Sequence, residues 1–178
     1  MIYFGQEVGE DGSEDAGFGK PSRTSIFDYI GVPAHQRWMN NKLFDGGGLS
    51  QDEKKLRDFY QRLLSFTTKS AALMGQYREV HYYNKEHTPT YDHRIFSFVR
   101  WDESEKLVII SNFDTEMSYD LDFKLPPDLV KEWRLKDKVV LKEQLYGDTK
   151  TLLVNEKGEG NVSLRLEPLQ SYIFKLGK

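Results

Sequence analysis

Arg94-Ile95-Phe96-Ser97-Phe98-Val99-Arg100-Trp101, then Asp102-Glu103-Ser104-Glu105, then Lys106-Leu107-Val108-Ile109-Ile110-Ser111-Asn112-Phe113 is the stretch that decides the fold. Two runs rich in β-branched and aromatic residues flank a short polar connection, which predicts two antiparallel strands. Downstream, Met117, Tyr119, Leu121, Phe123 and Leu125 alternate with Ser118, Asp120, Asp122 and Lys124. That period of two predicts a strand with one buried and one wet face. Pro126-Pro127 ends it. Further strands are predicted over Lys138–Leu145, Thr151–Asn155, Val162–Leu166 and Tyr172–Leu176. Short strands at near-regular spacing, separated by turn residues, predict an antiparallel β-sandwich.

Upstream of Gln76 the period is helical. Ser50 and Glu53 form a capping-box pattern. Leu56, Phe59, Tyr60, Leu63, Leu64 and Phe66 then fall mostly on one helical face, and Gly75 suits the residue after a helix end. Residues 9–49 read as irregular and glycine-rich. Before them, Met1 to Phe4 is an apolar run broken by Gly5 and followed by Glu7, Glu10, Asp11, Glu14 and Asp15. A continuous apolar run entering a glycine loop predicts a strand over residues 1–8, buried on both faces as in a parallel sheet. Parallel sheets need further strands and crossover helices. None precedes this run, so the expectation is a fragment of a larger fold. The expected boundary near Gly75 divides 1–75, a strand–loop–helix segment, from 76–178, an all-β domain.

Composition narrows the function classes. With 178 residues, 38% of them hydrophobic, the chain holds a core for one domain or for one domain plus part of another. The aromatic share of 13% suits pleated, half-buried surfaces. A net charge of −3 argues against a phosphate-binding footprint. The absence of cysteine excludes disulfides, a thiol nucleophile and thiolate metal sites. No apolar stretch approaches the roughly 20 residues that span a bilayer.

Several segments resemble the alpha-amylase family of glycoside hydrolases, family 13. Ile2-Tyr3-Phe4-Gly5-Gln6-Glu7-Val8-Gly9 is similar to that family's eighth barrel strand and following loop. Ser50 to Met74 resembles its eighth barrel helix, with Ala72-Leu73-Met74-Gly75 keeping the usual ending and Ser65-Phe66-Thr67 departing from the usual Leu-Arg pair. Phe98-Val99-Arg100-Trp101 followed by Leu107 to Phe113, and Leu164 to Tyr172, resemble hairpin and closing strands of its C-terminal β-domain. The resemblance implies a (β/α)8 barrel remnant over 1–75 ahead of a C-terminal antiparallel β-sandwich over 76–178. It implies that the complete protein hydrolyses or transfers α-glucosidic bonds of starch-like or maltodextrin substrates. The family's three catalytic carboxylates follow barrel strands four, five and seven, all upstream of Met1. No catalytic residue is therefore assigned to this chain, which is expected to be inactive alone and to stabilise the barrel.

Two residues become substrate-binding candidates through the resemblance. Glu7 lies on the loop after the barrel-like strand, on the face where such barrels place active sites. Its alternative role is a carboxylate that binds loop backbone. Arg23, in Ser22-Arg23-Thr24-Ser25, positions the same loop or makes a surface ion pair. The remaining signals favour structural roles. Glu10, Asp11, Glu14 and Asp15 lack EF-hand spacing and read as a solvated acidic loop rather than a calcium site. His35, His81, His87 and His93 form no close helical metal pair. Gly46-Gly47-Gly48 lacks a following Lys-Ser/Thr and reads as flexible. Lys131 to Lys138 reads as a solvated loop edge. Tyr82, Tyr83, Trp101, Trp133 and Tyr146 include candidates for a sugar platform, although most aromatics in a small sandwich are packing residues.

No cofactor and no metal are expected. The partner implied is an α-glucan or maltooligosaccharide, with neither nucleic acid nor membrane. The apolar face of the helix 50–74 is expected to fold onto the β-domain or to self-associate. The alternative function is a non-catalytic carbohydrate-binding β-sandwich.

Overall fold

The computed structural model describes residues 2–10 and 32–177. The chain divides into two compact units, Met1–Ser65 and Phe66–Lys178.

The first unit departs from the expected strand over 1–8. Gln6–Val8 is a turn of 3-10 helix. Its hydrogen bonds are local: Gln6 N–H donates to Tyr3 O, Val8 N–H to Gly5 O, and Glu10 N–H to Gly5 O. An apolar run becomes a strand only where a neighbour accepts its N–H groups, and here Tyr3 N–H donates instead to the Gln6 side-chain Oε1 at 3.1 Å. The segment expected to be irregular contains helix α1, Pro33–Met39. Pro33 at its first turn costs no hydrogen bond. The cap comes from far away in sequence, because Glu10 Oε2 accepts Ala34 N–H at 3.1 Å and His35 N–H at 3.2 Å. No local signal announces such a helix. Val8, Ala34 and Leu49 form a small buried cluster with Trp38 against it.

The glycine run is packed where the sequence suggested flexibility. A Cβ on Gly48 would stand 2.6 Å from Arg37 O, so only glycine permits that approach. Helix α2, Gln51–Thr67, then starts with the expected capping box. Ser50 N–H donates to Glu53 Oε2 at 2.7 Å, and Glu53 N–H donates to Ser50 Oγ at 3.2 Å. The helix is shorter than the expected 50–74 and has no fully buried residue; Leu56, Phe59, Tyr60, Leu63 and Phe66 are half-buried.

The second unit contains β1 Gln76–Glu79, β2 Ile95–Trp101, β3 Lys106–Asn112, β4 Tyr119–Leu125, β5 Lys138–Glu143, β6 Thr149–Val154, β7 Gly160–Leu166 and β8 Ser171–Leu176. They form one antiparallel sheet in the order β1-β2-β3-β8-β5-β6-β7-β4. Helix α3, His81–His87, touches both β2 and β4. Those strands lie six places apart in the sheet, roughly 29 Å if it were flat at 4.7–4.9 Å per strand. A seven-residue helix is only about 10 Å long. The sheet is therefore coiled, so its two halves face a common core. The antiparallel β-domain is present, built as one continuous sheet rather than two separate ones.

Alternation holds in detail. Leu121, Phe123 and Leu125 are buried while Asp120 and Asp122 are exposed. Ile95, Val99, Val108, Ile110, Phe174 and Leu141 join them in the core. The polar hairpin behaves as read: Asp102 Oδ1 accepts the N–H groups of Ser104 and Glu105. Asn112 ends β3 for a reason. Its side chain donates to Met117 O and Glu167 O and accepts Asp114 N–H.

Two short helices escaped the sequence, α3 and α4, Pro127–Glu132. Helix α3 protects the free edge of β4. Asn84 accepts Lys124 N–H and donates to Lys124 O, while Thr88 Oγ1 donates to Asp122 O. An unpaired edge strand is a template for aggregation, and this side chain imitates the missing neighbour. Gly75 is a correction of another kind. It does not close a helix in the left-handed conformation; its φ is −90°. A Cβ there would lie 2.1 Å from Trp101 O, so close backbone approach to β2 demands glycine.

Candidate functional site

Glu7 stands in the first unit, beside Glu10 and His35. Glu10 is buried, contrary to the solvated acidic loop expected of it, because it caps α1 and meets His35 Nδ1 at 3.4 Å. The other ring nitrogen, Nε2, lies 3.9 Å from Glu7 Oε1. Phe4 stacks on the same imidazole, with centroids 4.4 Å apart and planes 6° from parallel. The imidazole is thus sandwiched between two carboxylates and an aromatic face. Glu7 is half-buried, so one edge of its carboxylate remains open to solvent. Chemically the group offers a carboxylate acceptor beside, but beyond hydrogen-bond distance of, His35 Nε2. Arg23 lies outside the described residues, as do Asp11, Glu14 and Asp15. Among the described residues no group of three His, Asp or Glu side chains could hold a metal ion.

A second polar constellation holds this unit together. Arg37 donates through Nε to Glu53 Oε1 at 3.1 Å. That bond, with the Ser50 backbone and hydroxyl, pulls the Glu53 carboxyl down to about 2. Arg57 places its guanidinium 4.9 Å over the Trp38 ring.

The five aromatic candidates in the second unit scatter. Tyr83 is half-buried, stacked on His87 at 4.2 Å, and donates its hydroxyl to Glu159 at 2.6 Å. Burial first, and that carboxylate second, push its hydroxyl well above the ordinary phenol value. Tyr82 and Tyr146 are exposed on different elements. Trp101 and Trp133 come together edge to face, with centroids 5.7 Å apart and an interplanar angle of 62°. Trp101 is half-buried and donates Nε1 to Glu132 Oε1 at 3.0 Å. Trp133 is only 6% exposed, and its Nε1 meets no acceptor among the described residues. Leaving a buried donor unpaired costs about 1–3 kcal/mol. A cleft of about 700 Å³ opens beside the pair, walled by Gln76, Glu103, Lys106, Glu132 and Arg134. The sequence reading names both tryptophans but places Lys106 at the start of a strand and Glu132 and Arg134 in a solvated loop edge.

The histidines bind no common centre. His81 Nδ1 lies 2.9 Å from Ile95 O, His87 Nδ1 2.8 Å from Tyr83 O, and His93 pairs with Asp92.

Residues 86–177 match the model of the alpha amylase C-terminal all-beta domain. This chain belongs to that family. The amylase C-terminal domain thus spans the coiled sheet from the end of α3 to the end of β8. Among solved structures, an Anoxybacillus alpha-amylase is similar over 98% of this chain and 28% of its own, with a TM-score of 0.56 and 18% identity. AmyP in complex with maltose is similar over 97% of this chain and 30% of its own, with a TM-score of 0.55 and 12% identity. The chain therefore spans less than a third of the length of these two proteins. No curated protein matches it. Likeness at these identities concerns the fold. It extends ahead of the amylase C-terminal domain, into the unit that carries Glu7 and His35.

Proposed function

We propose that this chain is the C-terminal portion of an alpha-amylase-family glycosidase acting on α-glucosidic bonds of starch-like or maltodextrin substrates. Residues 1–75 would derive from the last strand, loop and helix of the (β/α)8 barrel, and 76–178 form the β-domain. The observation that carries the proposal is the extent of the likeness to the Anoxybacillus alpha-amylase, which takes in nearly the whole chain. The chain alone is proposed to be inactive. A retaining glycosidase needs two carboxyl groups about 5–5.5 Å apart across the bond. Glu10 is committed to capping α1. Glu7 is left to accept a hydrogen bond from a substrate hydroxyl at the rim of the barrel's active-site face, and Arg23 is the second substrate-binding candidate. The half-buried stripe of α2 would meet the rest of the barrel, or a second copy of the chain; light scattering separates a monomer from a dimer.

The test is an assay of the purified chain on starch, maltose and aryl α-glucosides. No turnover above the buffer blank is expected. Turnover that survives repurification and disappears in Glu7→Gln would overturn the proposal and make Glu7 catalytic.

A further inference from the structure

We propose that the cavity bounded by β5, the end of β8 and residues 134–138 binds the phosphoryl group of a small phosphate monoester, a function independent of the glycosidase proposal above. The cavity has a volume of about 360 Å³, within the range of small-ligand sites. Four cations line it, Lys106, Arg134, Lys136 and Lys138, and no carboxylate does. None of the four makes an ion pair among the described residues. The whole chain has a net charge of −3, so this is a local concentration against the overall balance. Much of the remaining wall is apolar, from Val139, Leu176 and the buried Trp133. Charges of one sign set in low-dielectric walls focus the field on a counter-ion. A phosphate monoester carries about −1.5 to −2 at neutral pH and three acceptor oxygens. A carboxylate brings one charge and two oxygens, fewer than four cations can use. Arg134 adds the planar fork that meets two phosphoryl oxygens at once. The nearby carboxylates face elsewhere. Asp102, Glu103 and Glu132 line the neighbouring cleft, which Lys106 and Arg134 also border. Asp102 is engaged by the N–H groups of Ser104 and Glu105 and by the Ser104 hydroxyl. Asp137 is exposed and does not line the cavity. Lys136 and Lys138 line this cavity and not that cleft.

The fold sets the cations in place without a ligand. Alternation along β5 buries Val139 and leaves Lys138 and Val140 exposed. Gly177 N–H donates to Val140 O at 2.7 Å, which holds the end of β8 against that strand. Arg134 and Asp137 are left-handed, with φ of 55° and 49°, so the chain turns twice between α4 and β5. Both ends of this loop are pinned, because Leu135 N–H donates to Val130 O at 3.0 Å and Val154 N–H to Asp137 O at 2.8 Å. Along the chain, residues 134–138 have the composition of a solvated edge; Lys106, the first residue of β3, closes a pocket with them. Trp133 Nε1–H, buried and without an acceptor among the described residues, gives the aromatic side of the wall a donor and no acceptor.

The test is calorimetric titration of the 178-residue chain with glucose 6-phosphate, inorganic phosphate, glucose and heparin, at low ionic strength in a phosphate-free buffer. Saturable binding of glucose 6-phosphate, weaker binding of inorganic phosphate and none of glucose are expected. The double variant Arg134→Gln with Lys138→Gln should weaken glucose 6-phosphate binding at least tenfold. Lys85→Gln with Lys157→Gln removes the same charge away from the cavity and should change it less than twofold. Should the first double variant fail to fold, Lys138→Glu, at an exposed strand position, should give a loss of at least tenfold by itself. Wild-type chain that binds neither phosphate nor its ester would overturn the proposal, as would a folded cavity variant that binds as wild type. Equal losses in the two double variants would reduce the effect to general charge attraction and overturn it as well. Binding of heparin without binding of the phosphate ester would replace the site with a polyanion surface.

Discussion

Glu143 is the last residue of β5 and has four backbone N–H groups on one buried carboxylate. Oε2 accepts from Leu145, Tyr146 and Gly147, and Oε1 accepts from Ile173 at 3.1 Å. It thereby fixes the turn out of β5 and ties that turn to β8. Removing the carboxylate leaves the buried Leu145 and Ile173 N–H groups unpaired, each at a cost of about 1–3 kcal/mol. Glu143→Ala is expected to lower stability by about 3–5 kcal/mol in urea unfolding; a loss below about 1 kcal/mol would mean that water replaces it without penalty. Glu53 supplies a pH-dependent counterpart in the first unit. Its carboxyl falls from 4.5 to about 2 because Arg37 and Ser50 bind its charged form. A depressed carboxyl stabilises the fold above its unfolded value, so the contribution is present at neutral pH. It fades as pH drops from about 4.5 to about 2. Wild type should exceed Glu53→Gln in helix stability by about 1 kcal/mol at pH 7. The two should converge near pH 2, which helix melting at both pH values will check.

At the scale of elements, the segment Phe66–Gly75 is bound to the β-domain by specific polar contacts. Glu105 is buried and accepts from the Ser70 hydroxyl, from Ala72 N–H at 3.1 Å and from Lys175 Nζ at 2.7 Å. Arg100 donates to the carbonyls of Ala72, Leu73 and Gly75. Deleting residues 1–65 should leave a cooperatively folding domain, whereas deleting 1–75 should strip partners from Glu105 and Arg100 and lower the melting temperature further. Equal melting of the two truncations would show that these contacts contribute nothing. The strands of this domain were legible in the sequence because alternation is intrinsic to a sheet with one wet face. The four α-helices among the described residues were legible only in part. α2 announced itself through its capping box and long period. α1, α3 and α4 have seven, seven and six residues, too few for a period to show. Their anchors are remote as well: Glu10 for α1, Lys124 and Asp122 for α3. Glu7 became a candidate only through the motif around it, and its neighbour His35 had no sequence signal at all. Trp101 and Trp133 were visible as aromatics, but choosing them from five required knowing that β2 and α4 bring their rings together.

At the scale of the whole molecule, a domain of this family follows a smaller unit in which, among the described residues, Val8, Ala34 and Leu49 are buried together with Trp38 alongside. The chain spans 28–30% of the length of the solved structures it resembles, and the proposal above takes it as one part of a longer glycosidase. The most direct measurement is made on the natural gene product, retrieved with an antibody against the β-domain, sized by mass spectrometry and assayed on starch. The account predicts a protein roughly three times the 20.8 kDa of this chain that releases maltooligosaccharides. A product of 20.8 kDa, or a larger one that leaves α-glucan uncut, would contradict it.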